Sequence, residues 1–143
     1  RPAPDSVPWD TKASGLYMIC TLSKHEAERL GFTDSLMLDY EGNIAEATGA
    51  NIFFVKDNDL YTPIADCFLN GITRQTVIEI AKENNLKVHE KHLEIGFISS
   101  CDEVFLTGTA VEITPVGQID DKKFTVGEIT KLLIEAFSKK VRS

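Results

Sequence analysis

The chain has 143 residues, with 15 Lys plus Arg against 22 Asp plus Glu and a formal net charge of −7 at pH 7. Apolar residues make up 43% and charged residues 26%, which excludes a disordered chain and fits one folded domain. The acidic balance excludes the usual nucleic-acid binder, whose Lys and Arg neutralise phosphates. No apolar run approaches the ~20 residues that cross a bilayer, so no membrane association is expected.

The three cysteines, Cys20, Cys67 and Cys101, are scattered, odd in number and set among apolar neighbours. They show no metal-ligand spacing and no disulfide framework, which fits a reducing, cytoplasmic setting. The opening Arg1-Pro2-Ala3-Pro4-Asp5 lacks the layout of a secretory leader. Pro2, Pro4 and Pro8 make residues 1–11 extended or irregular, and they read as a linker entering a domain over 12–143. The apolar spacing over 14–30 predicts a helix, with Gly31 as its stop. Short strands are expected at 35–39, 44–46, 52–56 and 60–62, with Asp57-Asn58-Asp59 as a tight hairpin. A glycine turn at Gly71 leads into a helix to residue 83, followed by a strand at 86–89 and a short helix or turn at 93–100. Strands at 103–107 and 112–116 flank Gly108-Thr109-Ala110, and a helix over 126–140 closes the chain. Interleaved strands and helices place the fold in the α/β class, as an α+β mixture.

Four local features could carry chemistry. Asn70-Gly71-Ile72-Thr73-Arg74 delivers a glycine turn into a helix, whose first N–H groups can hold an anion, with Thr73 as the cap or as a hydroxyl donor. Thr107-Gly108-Thr109-Ala110 sets a glycine between hydroxyls at a strand end, where amides can form an anion nest. Glu46 places a carboxylate on a mostly apolar strand, and buried there it needs a cation or a set of donors. Lys12 stands before the small residues Ala13, Ser14 and Gly15; its amine attacks carbonyls only if burial or a nearby cation lowers its pKa. Each also has a plain reading: turn chemistry for the first two, a solvent-facing strand residue for Glu46, and a surface charge for Lys12. Taken together, they supply an amine for an aldehyde, a carboxylate for a pyridinium nitrogen, and two amide-rich turns for a phosphate and a second anion. These are the contacts that pyridoxal 5′-phosphate requires.

The chain resembles the C-terminal large domain of branched-chain amino acid aminotransferases, within the class IV (fold type IV) aminotransferases. The resemblance rests on Thr11-Lys12-Ala13-Ser14-Gly15-Leu16-Tyr17, Leu38-Asp39-Tyr40-Glu41-Gly42-Asn43-Ile44-Ala45-Glu46 and Thr48-Gly49-Ala50-Asn51-Ile52-Phe53. It continues through Leu60-Tyr61-Thr62-Pro63, Asn70-Gly71-Ile72-Thr73-Arg74, Asp102-Glu103-Val104-Phe105 and the run from Thr107 to Val116, in the family's order. Where the family commonly has an acidic residue before Asn51, this chain has Ala50.

The resemblance implies a barrel-like mixed sheet with flanking helices and a preceding small domain that residues 1–11 would join. It implies Lys12 as the Schiff-base lysine and proton shuttle, Tyr17 at the cofactor's phenolic oxygen and Glu46 at the pyridine nitrogen. Ile72, Thr73 and Thr109 would hold the phosphate, and the Ala110 and Val111 amides the substrate carboxylate. The implied reaction is ping-pong transamination of leucine, isoleucine and valine with 2-oxoglutarate, in a homodimer or larger assembly. D-amino acid transamination, 4-amino-4-deoxychorismate cleavage and a non-catalytic interaction domain remain as alternatives. The fragment by itself is expected to be weakly active or inactive, and no metal is expected.

Overall fold

The computed structural model describes residues 1–142; Ser143, the last residue of the expected domain, lies outside it. Its central sheet has five strands in the order β5-β4-β3-β6-β7: β3 (Asn51–Lys56), β4 (Asp59–Thr62), β5 (Val88–Glu90), β6 (Glu103–Gly108) and β7 (Glu112–Pro115). All pairings are antiparallel except β4 with β5. A parallel pair needs a crossover, and α2 (Ile72–Glu83) lies in the connection between those two strands. Two ribbons complete the strands, β1 (Leu36–Leu38) with β2 (Ile44–Ala47), and β8 (Gln118–Ile119) with β9 (Lys122–Lys123). The second ribbon has no counterpart among the elements expected from the sequence.

The centre of the sheet is β3. Its apolar residues alternate between two cores because successive strand side chains point to opposite faces. Phe53 and Val55 join Phe105, Val77, Ile80 and Leu133 beneath α2 and α3 (Glu128–Arg142). Ile52 and Phe54 join Ile44, Leu93, Ile98 and Val104 on the other side. Phe53 and Phe105 are direct partners across β3 and β6, and their rings stack with centroids 5.1 Å apart. Burying a side chain of this size contributes about 1.5–3 kcal/mol, so these layers set the register of the sheet.

The expected helix over 14–30 is divided: Ser14–Tyr17 forms a 3-10 turn, and α1 begins at Met18 and runs to Arg29. Tight first turns are common where a helix has no capping side chain, and neither segment has one here. The stop at Gly31 holds. Gly31 sits at φ +89° and donates to Glu28 O, and the Phe32 N–H reaches back to Ala27 O. The same paired closure ends α2 at Asn85, with φ 60°, and uses the N–H of Leu86. That closure is why the strand expected at 86–89 starts at Val88 instead. The hairpin between β3 and β4 is made by Asp57 and Asn58 alone, both left-handed, because Lys56 already pairs with Asp59.

Candidate active site

The turn-bearing ends of β2, β3 and β6 meet on one side of the sheet and enclose a cleft of about 180 Å³. Four widely separated segments form its walls. Arg1, Lys12 and Tyr17 come from the leading segment, and Glu46 and Thr48 through Asn51 from the end of β2 and the turn into β3. Leu69 and Gly71 come from the loop before α2, and Thr107, Gly108 and Thr109 from the end of β6. Of the residues singled out from the sequence, the cleft gathers Lys12, Tyr17, Glu46 and Thr109. Ile72, Thr73, Ala110 and Val111 stand beside it. Ile72 opens α2 with its side chain 83% exposed, and Ala110 and Val111 follow Thr109 around an exposed turn.

Glu46 lies on a strand whose four residues are all buried, so the solvent-facing reading of this carboxylate does not hold. Strand pairing with β1 fixes its backbone opposite Met37. Its Oε1 is 3.0 Å from Arg1 Nε. Burial raises its pKa to about 7, and the Arg1 charge pulls the other way. Burial also raises the Tyr17 hydroxyl, with Glu46 adding to the shift and Arg1 opposing it. Lys12 is exposed at the cleft.

Sequence reasoning offered Thr73 as the cap of α2. That position belongs to Gly71, whose extended ψ of 145° precedes the first helical residue, Ile72. Thr73 lies one residue further in, and no side chain caps the helix, so its first amides face the turn beside the cleft. The turn itself is held by Asn51. The Asn51 Oδ1 accepts the Gly71 N–H at 3.1 Å, and its Nδ2 donates to Leu69 O at 2.9 Å. Arg74, 1% exposed, secures the same loop by donating to Asn70 Oδ1, Pro63 O and Glu90 Oε2.

Arg1, Asn51 and Thr107 are cleft residues to which the sequence assigned no individual role. Asn51 had a local signal, as the polar residue that opens a strand apolar from Ile52 to Val55. Thr107 faces Asn51 across β3 and β6; its hydroxyl is buried and has no hydrogen-bond partner among the described residues. Arg1 had no local signal, because its partner lies in β2.

A second, wider cleft runs between the end of α1, the segment at Phe32 and the strand β7. It has an apolar lining that includes Leu30, Phe32, Ile95 and Val116, and it contains none of the expected site residues. Among the described residues, no cluster of three or more His, Cys, Asp or Glu is placed to hold a metal, and no helix is long and apolar enough to cross a membrane.

Comparison with known proteins gives a family and several similar chains. Residues 1–119 match the family model for amino-transferase class IV. A "Probable branched-chain-amino-acid aminotransferase" of Rickettsia conorii is 50% identical over 143 residues, covering 97% of this chain and 49% of that protein. Among solved structures, the branched-chain amino acid aminotransferase of Escherichia coli superposes with a TM-score of 0.94 at 40% identity, over 97% of this chain and 48% of that one. An aminotransferase from Brucella abortus, bound to the co-factor PLP, superposes at 0.95 with 34% identity, over 100% of this chain and 51% of that one. The chain thus spans about half the length of the relatives it matches.

Proposed function

The chain belongs to the class IV aminotransferase family, and on that premise we propose that it is the cofactor-holding part of a pyridoxal-phosphate-dependent branched-chain-amino-acid transaminase. The observation that carries this reading is the convergence of Lys12, Tyr17, Glu46 and two glycine turns, from separate segments, on one small cleft. The residues present fit the cofactor. A Cβ on Gly71 would stand 2.6 Å from Asn51 Oδ1, which leaves that turn room only for bare backbone, and one on Gly108 would stand 3.3 Å from Val111 Cγ2, a tight contact at the second turn. An amine, a carboxylate and amide-rich turns are also the donor set the molecule needs.

Bound pyridoxal 5′-phosphate supplies an electron sink for the carbon that loses its proton. The chain's own groups do the rest. The uncapped amides of Ile72 and Thr73 and the Thr109 hydroxyl hold the phosphate, aided by the α2 dipole. The Glu46 carboxylate holds a proton at the ring nitrogen. The Tyr17 hydroxyl donates to the phenolic oxygen. The Ala110 and Val111 amides orient the substrate carboxylate. The Lys12 amine would bind the cofactor's aldehyde carbon and would be the base that takes up the proton leaving substrate Cα. The amino donors are leucine, isoleucine and valine, and 2-oxoglutarate takes the amino group in the second half of a ping-pong cycle. The whole enzyme is a homodimer or larger assembly in the cytoplasm, and its role is in branched-chain amino acid biosynthesis.

The test uses the full-length protein. Borohydride reduction of a near-visible-absorbing preparation is expected to leave a pyridoxyl mass on the peptide containing Lys12, and Lys12→Ala is expected to abolish both band and label. L-valine should discharge the band and D-alanine should not. A wild-type protein without the band, or a label on a different lysine, would refute the reading.

A further inference from the structure

The Arg1 and Glu46 side chains form a buried ion pair at the cleft wall, with only 3% and 10% of their surfaces exposed. The rest of the guanidinium is engaged by the leading turn and helix. Arg1 NH1 donates to Leu16 O at 2.9 Å and contacts Cys20 Sγ at 3.2 Å, and the guanidinium carbon stands 6.0 Å from the centroid of the Tyr17 ring. Arg1 is therefore held in place from the Ser14–Tyr17 turn and from α1 while its Nε faces a carboxylate on β2. Arg1 Nε has no hydrogen-bond partner among the described residues, so the pair is a close ion contact that leaves the hydrogen-bonding capacity of the carboxylate open to a ligand.

From this geometry we infer that Arg1 is a positioning residue that fixes the Glu46 carboxylate in the cleft and favours its ionised form against the pull of burial. The inference rests on the function proposed above, where Glu46 meets the ring nitrogen. An isolated carboxylate at this depth escapes its desolvation cost by taking up a proton. A neutral carboxyl cannot pair with a protonated ring nitrogen; a carboxylate can. The other groups facing Glu46 are the Tyr17 hydroxyl and the Cys20 thiol, with the Lys12 amine lining the same cleft. Of these, the hydroxyl and thiol are neutral near pH 7, since burial raises both above their ordinary values. The guanidinium, which stays charged at any working pH, is the group in direct contact with the carboxylate.

The experiment is an infrared pH titration of the full-length apoprotein, with Glu46→Gln subtracted to isolate the Glu46 carboxyl band. In Arg1→Met the neutral carboxyl band should persist to a pH about 1–3 units higher than in wild type, and Arg1→Lys should recover most of the difference. In the cofactor-loaded protein, the nitrogen-15 shift of labelled pyridoxal 5′-phosphate should report loss of the ring-nitrogen proton in Arg1→Met and its retention in Arg1→Lys. An unmoved Glu46 titration in Arg1→Met would overturn the inference. Should Arg1→Met fail to fold, Arg1→Met/Glu46→Gln is expected to regain a cooperative melt. A double variant that stays unfolded would mean Arg1 only packs, which also overturns it. A wild-type protein that binds no cofactor would refute the proposed function but leave the infrared titration to decide the role of Arg1.

Discussion

Asn51 and Gly71 are locked together across the cleft: the Asn51 Oδ1 accepts the Gly71 N–H at 3.1 Å, and a Cβ on Gly71 would lie 2.6 Å from that same oxygen. The turn that launches α2 thus depends on a buried side-chain amide and on the absence of a side chain facing it. Asn51→Ala leaves the Gly71 N–H and Leu69 O without partners, at about 1–3 kcal/mol for each group that stays buried. Gly71→Ala forces the two apart, because a β-carbon cannot sit that close to oxygen. Both variants should lower the melting temperature. Both should also weaken binding of pyridoxal 5′-phosphate more than a surface variant of equal stability does, measured by fluorescence titration of the full-length protein. Unchanged cofactor affinity in both would separate the clamp from the phosphate turn.

Glu46 gives the apoprotein a specific pH signature. Its folded pKa is about 7, against 4.5 as the ordinary value. The native state therefore holds this proton more tightly than the unfolded chain does. That contribution is fully present below pH 4.5, and it is lost as pH rises through about 7. Its size is bounded at about 3 kcal/mol by the linkage of pKa to free energy. Denaturant melts of the full-length apoprotein from pH 4.5 to 8 should show this decline, and Glu46→Gln should remove it while leaving the other titrations in place.

At the far end of the sheet, Glu103 serves α3. Its Oε2 accepts the Thr130 N–H at 2.9 Å inside the fold, where the first turn of the helix needs acceptors. A Cβ on Gly127 would lie 2.2 Å from Glu103 Oε1, so the carboxylate occupies the space a side chain there would take. Glu103→Ala should destabilise the protein by about 1–3 kcal/mol and raise hydrogen exchange at the start of α3. Glu103→Gln keeps an acceptor but loses the charge that favours a helix N-terminus, and it should cost less.

The sequence by itself determined the class of fold, the identity of nearly every element and several of the motifs that line the cleft. Those are local matters. The unbroken apolar run Ile52-Phe53-Phe54-Val55 dictates a strand buried on both faces, and Gly31 and Gly71 mark a helix end and a helix start through backbone chemistry alone. The resemblance of its motif string to class IV aminotransferases was legible for the same reason, since the motifs are contiguous runs. Only the tertiary structure decided which of those residues share a site, and by what contacts. Arg1 lay in a segment that read as a linker, yet its guanidinium is among the most deeply buried charges, because β2 brings a carboxylate to it. Asn51 looked like the polar head of a strand until the loop before α2 folded onto it, and Thr107 gained its place by pairing with Asn51 across the sheet. Periodicity within a window reports which face of an element is apolar. It carries no information about which polar group from another part of the chain will meet a buried charge, because that match depends on how the elements pack.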